Sequence, residues 1–206
     1  MTSTPRDLIK ARNAKKARQP KKSPMDWSRA GLVRLADQGL DGVRVEVLAK
    51  DLGVTKGSFY WHFRDRQALL ESMLQQWERS ATDDVIVATE RSGPDAAIRL
   101  ARLVEISTGG FDASLELALR AWGRSDVKIA SVIEAVDKRR LATLRGLLKE
   151  LGFEGASVEA RAFLLYSALF GAALLPPAHG RYSRRSVMEE VFEILSGPNG
   201  RPRKTA

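Results

Sequence analysis

The 206-residue chain is predicted to be all-α, a three-helix helix-turn-helix unit followed by a larger domain of packed helices. Three observations carry that prediction. Apolar residues recur at helical spacing along the chain, no run alternates apolar and polar as a half-buried strand would, and Gly or Pro stands at most breaks. A hydrophobic content of 44% is enough for a sizeable core in one or two domains.

The first helix opens at Ser23-Pro24-x-Asp26, with Ser as N-cap, Pro in the first helical position and a carboxylate in the first turn. Trp27, Ala30, Gly31 and Leu35 form its core stripe, and Gly39 ends it. Val45, Leu48, Ala49 and Leu52, spaced i, i+3, i+4, i+7, place one apolar stripe on a second helix of about two turns, over Val45 to Asp51. Gly53 follows, where a helix end favours a left-handed residue. Thr55 is expected to cap a third helix over Thr55 to Phe63 through its hydroxyl, with Phe59 and Phe63 anchoring it at i, i+4. Asp65 caps a long fourth helix with Leu69, Leu70, Met73, Leu74 and Trp77 on its early apolar positions, running to near Thr89. Arg91 to Pro94 breaks the chain, and further helices are predicted over Asp95–Ser107, Phe111–Trp122, Asp126–Leu151, Val158–Leu175 and Arg184–Ser196. Gly109-Gly110, Gly152 and Pro176-Pro177 mark the turns between them.

Gly57 and Trp61 lie roughly opposite the two phenylalanines of the third helix, with Ser58 and Tyr60 beside them. Exposed Tyr and Trp together imply contact with a partner, because each would gain by burial. DNA is a natural one. A short second helix of a helix-turn-helix enters the major groove with its N-terminal residues at base edges, while hydroxyl, indole and imidazole groups reach phosphates. Gly57 would let the backbone approach, and Arg66 can pair with a phosphate. Trp61 is also open to a packing role against the following helix, and His62 to a hydrogen-bonded scaffold role. A metal role for His62 is disfavoured, since His179 is the only other histidine and there is no Cys.

The string GL at Gly39-Leu40, then V-x-x-L-A-x-x-L-G-V-T-x-G-S-F-Y-W-H-F-x-D-R-x-x-L from Val45 to Leu69, resembles the signature of the tetracycline-repressor (TetR) family of bacterial transcriptional regulators. The resemblance covers about a quarter of the chain; the remainder matches only in length and helical character. It implies a DNA-binding protein acting on a palindromic operator as a homodimer, usually a repressor, with no cofactor. Lys56 and Gly57 fall where the family reads bases. Tyr60, Trp61 and His62 fall where it grips backbone and thymine methyls, and Arg66 on the usual phosphate-binding lysine; Thr55 and Ser58 complete the DNA-binding set. Val43 and Arg44 stand where the family usually has a phosphate-binding Thr or Ser, so that contact is lost or taken over by Arg44.

The net charge of +9 lies mostly in the tails. Residues 1–24 carry eight basic side chains against Asp7 alone, and Arg201, Arg203 and Lys204 add three at the other end, which leaves the body of the chain near neutral. A basic arm before a DNA-binding unit suits a minor groove or a run of phosphates, or serves as a solubilising leader. The expected division is a basic arm over 1–22, a DNA-binding domain over 23–68, a ligand-binding and dimerisation domain over 69–197 and a basic tail over 198–206. A competing reading is a basic DNA-binding protein without sequence preference or ligand, acting through its tails. An enzyme is disfavoured: there is no Cys nucleophile, no G-x-S-x-G elbow, no phosphate-binding glycine run and no metal-spaced His or carboxylate set. The start lacks the apolar core of a signal peptide, and no 18-residue apolar stretch exists, so the expected location is the cytoplasm and not a membrane.

In the second domain, Ser167, Ala168, Gly171 and Ala172 let another helix approach closely, and Val187, Val191, Ile194 and Leu195 make one stripe on the last helix. By the resemblance, these last two helices pair across a two-fold axis. The resemblance also implies a pocket for a small-molecule effector whose identity the sequence does not specify. Candidate lining residues are Trp77, Leu103, Phe111 and Leu119, with Trp122, Phe163, Tyr166 and Phe170. Glu105, Asp112 and Glu116 lie in apolar surroundings and could orient a polar or cationic ligand, or face water as ordinary helix residues.

Overall fold

The structure, a computed structural model, describes residues 22–110, 112–175 and 180–197. The basic arm up to residue 21, Phe111, His179 and the basic tail fall outside the described residues. Helix α1 (Pro24–Gln38) begins as its sequence dictates. The Asp26 amide donates to Ser23 Oγ at 3.2 Å and the Ser23 amide donates to Asp26 Oδ2 at 2.8 Å, a reciprocal cap that satisfies two otherwise orphaned donors. Trp27, Leu32 and Leu35 are buried, and α1 crosses the fourth helix where Gly31 leaves no room for a side chain: a Cβ there would meet the Met73 sulfur at 2.5 Å. A single 3-10 turn (Leu40–Gly42) leads into α2 (Val45–Asp51), and Gly53 turns the chain at φ 67°.

Helix α3 spans only Lys56–Tyr60, shorter than the predicted Thr55 to Phe63. Trp61 closes it, and the amides of His62 and Phe63 both donate to Phe59 O, which folds Phe63 back to stack on Phe59 at 5.3 Å. Trp27 meets the other side of Phe59 edge-on, also at 5.3 Å. Thr55 occupies the N-cap position with extended φ/ψ, yet its hydroxyl makes no capping bond. The expected cap is therefore corrected: with only five helical residues, the turn is closed by the backbone bond from Ser58 N to Thr55 O at 2.9 Å.

Asp65 Oδ1 accepts from the Ala68 amide at 2.8 Å and starts α4 (Arg66–Glu78). The predicted single helix to Thr89 is interrupted by a π turn (Arg79–Asp83) before α5 (Asp84–Glu90), a widening that apolar periodicity cannot register because the chain stays helical on both sides. Beyond it come α6 (Ala96–Gly110), α7 (Ala113–Gly123), α8 (Val127–Glu150), α9 (Gly155–Leu174) and α10 (Arg184–Ser196). The Gly109-Gly110 pair, predicted as a turn, instead forms the end of α6; glycine lowers helix propensity by about 1 kcal/mol without forcing a stop.

Two cores hold these helices. The first joins Trp27, Leu35, Phe59, Leu69, Met73 and Trp77 to Leu119, Trp122, Ile133 and Val136, so the helix-turn-helix unit shares its core with α7 and α8. The second packs Leu100, Leu144, Leu147, Phe153, Val158 and Leu165 between α6, α8 and α9. Among the described residues, no helix is long and apolar enough to cross a membrane.

Candidate functional site

Two regions concentrate chemistry that packing does not use. The first is the outer face of α3. Trp61 is 87% exposed and Tyr60 56%, while Thr55, Lys56, Gly57 and His62 are exposed and Ser58 is half-buried. A Cβ on Gly57 would meet nothing nearer than Thr55 Oγ1 at 3.7 Å, so the fold itself does not demand glycine there. Lys56 Nζ pairs with Glu46 on α2; the hydrogen bond from Lys56 holds the Glu46 carboxyl below the usual range and raises the lysine in return. The reading face thus carries a cation whose counter-charge is one exposed carboxylate, an exchangeable arrangement. Arg34 on α1 grips Asp51 at the end of α2 through two bonds of 2.6 and 2.7 Å, which fixes how α2 lies against α1.

Arg66 has a duty the sequence did not suggest. Its Nε donates to Val43 O and one Nη to Leu40 O, both at 2.7 Å, so the guanidinium buttresses the loop that carries Arg44 into α2. Arg44 is exposed at the N-cap position of α2, and Val43 beside it is fully buried.

The second region is a cavity of about 290 Å³ bounded by α4, the π turn and α5 on one side and by α6 to α10 on the other. Trp77, Leu103 and Tyr166 line it, as predicted residues brought together by the fold. Phe111 lies outside the described residues, and the others are placed elsewhere. Leu119 and Trp122 belong to the first core, Phe163 faces outward at 66% exposure, and Phe170 packs edge-on against Tyr166 with the Arg120 guanidinium 4.6 Å above its ring. One-dimensional spacing shows which residues share a helix face, not which helix that face meets.

A polar cluster forms one wall. Glu116 is 3% exposed; its Oε1 accepts from Trp77 Nε1 at 3.1 Å and from Arg140 Nη2 at 2.9 Å. Arg140 also donates to Thr82 Oγ1, to Ala81 O in the π turn and to the Tyr166 hydroxyl. Burial is the largest influence and opposes its charge, but Glu116 and Tyr166 together raise it. Tyr166 in turn donates to Asp137 Oδ1 at 2.6 Å, and burial pushes its phenol up to about 12. Asp137 is chelated by Arg120 at 2.8 and 2.9 Å; burial works against its ionisation, yet the bonds from Arg120 and Tyr166 leave it below the ordinary range. Sequence reasoning flagged Glu116 but passed over Arg140, which sits in the basic run Lys138-Arg139-Arg140. Its position one turn from Val136 and Leu144 on the buried stripe of α8 was the available signal.

Comparison with known proteins bears on both regions. Residues 29–73, which contain α2, α3 and most of α1 and α4, match the family model for bacterial regulatory proteins of the tetR family. Over 55 residues the chain is 40% identical to the class A tetracycline repressor protein from transposon 1721 of Escherichia coli. Residues 29–73 carry the TetR-family helix-turn-helix sequence. The match to the repressor covers 27% of this chain and 26% of the repressor, so only about a quarter of the curated relative's length is spanned. Likeness of fold extends further. A TetR-family transcriptional regulator from Streptomyces coelicolor, SCO4454, superposes with a TM-score of 0.66 at 17% identity, covering 95% of this chain and 94% of its own. A transcriptional regulator from Saccharomonospora viridis in complex with choline superposes with a TM-score of 0.69 at 19% identity, covering 84% and 94%. The all-α architecture, an N-terminal helix-turn-helix domain followed by a helical domain, is therefore shared with these regulators over most of the chain.

Proposed function

We propose that this chain is a TetR-family, sequence-specific DNA-binding transcriptional regulator, with residues 23–68 reading DNA and residues 69–197 binding an effector and dimerising. The observation that carries this is the outer face of α3, where an 87% exposed Trp61 stands beside Tyr60, Lys56 and a glycine the fold does not need. Lys56 and Gly57 meet base edges; Tyr60, Trp61 and His62 meet backbone and thymine methyls; Thr55, Ser58 and Arg44 supply phosphate contacts. Arg66 keeps guanidinium donors for phosphate while it positions the Arg44 loop. Lys56 exchanges Glu46 for DNA on binding. The deciding experiment selects bound fragments from a genomic DNA pool at near-physiological salt. Enrichment of a palindromic site is expected; equal retention of random DNA would favour a basic binder without sequence preference.

The same reading makes the protein a homodimer. Phe163 and Leu164 on α9 and Ile194 on α10 are exposed apolar residues on neighbouring helices, an unpartnered face that a second copy would cover and that two-fold operator symmetry requires. Phe163→Glu should shift the protein to monomer in light scattering and weaken operator binding, with the melting of the helix-turn-helix unit little changed.

The cavity beside Trp77 and the π turn is the effector site, and its occupation favours a conformation that releases DNA, making the protein a ligand-controlled repressor in the cytoplasm. Its wall includes Leu32 on α1 and Trp77 at the end of α4, the helix that follows the reading unit, so it abuts that unit directly. The likeness to a regulator that holds choline supports a small organic effector for this fold.

A further inference from the structure

Among the described residues, one buried side-chain acceptor in the polar wall of the cavity lacks a partner. Arg140 commits four of its five N–H donors to Thr82, Ala81 O, Glu116 and Tyr166. The Tyr166 hydroxyl donates to Asp137 and accepts from Arg140. Glu116 Oε1 accepts two bonds, one of them from Arg140, but Oε2, on the same nearly inaccessible side chain, has no hydrogen-bond partner; Arg120 Nη2 lies 3.9 Å from it, outside hydrogen-bond reach. A buried carboxylate oxygen without a donor is costly. The group that satisfies it must bring an N–H or O–H, and an anionic or purely apolar occupant cannot.

Charge narrows the class. Among the described residues, the side chains lining the cavity that are charged at neutral pH are Asp112, Glu116 and Arg140, a balance of one negative charge. Trp77, Tyr166 and Phe192 bring aromatic rings to the lining, that of Trp77 already beneath the Arg140 guanidinium at 5.5 Å, and Leu103, Leu144, Leu165 and Leu169 offer apolar contact. A cavity of about 290 Å³ has roughly twice the volume of one that admits benzene, so it takes about a dozen non-hydrogen atoms.

We infer that the effector is a compact organic amine: a protonated nitrogen bonded to Glu116 Oε2, on an apolar body that fills the space between Trp77 and the leucines. This rests on the reading of the cavity as an effector site and adds the anchor and the chemical class. Phenylbutylamine, phenylbutanol, phenylbutyrate and pentylbenzene share nearly one shape and differ in the group offered to Glu116. They are titrated into the full-length protein by calorimetry and thermal melting, and tested for release of the selected operator. The amine is expected to bind about tenfold or more tighter than pentylbenzene and phenylbutyrate, with the alcohol between. Glu116→Gln should bring the amine's Kd to within about threefold of the alcohol's; the wild-type series decides the question by itself should that variant fold poorly. If phenylbutyrate or pentylbenzene binds as tightly as the amine, water rather than ligand partners Oε2 and the inference is overturned, while the effector-site reading stands. If none of the four binds at millimolar concentration, both fall together. Leu169→Trp, which fills the cavity, should abolish binding of every probe; undiminished amine binding in that variant would place the amine elsewhere and overturn the inference.

Discussion

Trp61 and Gly57 depart from what packing alone selects. An indole gains more by burial than most side chains, and a glycine inside a helix costs about 0.5–1 kcal/mol relative to alanine, yet neither is compensated within the fold. Trp61→Ala should therefore leave stability within about 0.5 kcal/mol of the parent and reduce operator affinity at least about tenfold. Gly57→Ala should hold or raise the denaturation midpoint and still weaken operator binding, because a methyl group there meets DNA rather than protein. Paired measurements of melting and operator affinity check both, and a substitution that lowered the two together would instead mark a scaffold residue. Phe59 and Phe63 behave in the opposite sense. Both are buried, as their i, i+4 spacing implied, and Phe59→Ala should cost about 3–5 kcal/mol and the fold of the unit with it. At this scale the sequence was readable because chemical type and exposure conflicted at one pair of residues and agreed at the other.

Helix ends tie element stability to acid. Asp65 caps α4 through Ala68, and Asp65→Ala should lower unfolding free energy by about 1 kcal/mol in denaturant titrations. Asp26, held down by its bonds from Ser23, Glu46 by Lys56, Asp51 by Arg34, and Asp137 by Arg120 and Tyr166 against burial all lie below the ordinary carboxylate range. In the unfolded chain these groups protonate near pH 4. Their stabilisation is thus complete above that pH and is lost as pH falls through the depressed folded values. Tyr166, raised to about 12, acts at the other end: its contribution is intact below about pH 10, the unfolded value, and disappears as pH rises toward 12. Denaturation midpoints across pH should fall at both extremes. Tyr166→Phe should remove the latest step of the ultraviolet phenolate titration. Helices α2 and α10 were legible over the full ranges observed, because each carries an apolar stripe and meets a glycine within two residues of its end. The π turn was not, since one widened turn changes no residue type and leaves the apolar rows on either side intact.

Across the whole molecule, Arg140 links the two regions. It joins Glu116 at the cavity wall to Ala81 O and Thr82 in the π turn, which continues the helix that follows the reading unit. On the proposed effector reading, a ligand that repositions Glu116 alters the acceptors of Arg140 and so the turn. Thr82→Val removes one of those acceptors at nearly constant volume. It should cost about 1–3 kcal/mol of stability and shrink the change in operator affinity caused by phenylbutylamine, while the amine's Kd stays within about threefold; an unchanged operator response would separate Thr82 from the coupling. The all-α class, the helix-turn-helix and the exposed residue types of α3 follow from the sequence alone, because propensity and helical spacing are local properties. Which aromatics line the cavity, that Glu116 and Arg140 meet across α7 and α8, and that Phe163 turns outward were decided only in three dimensions. Each depends on which helix faces which across a core, and residue spacing within one helix does not encode its partner.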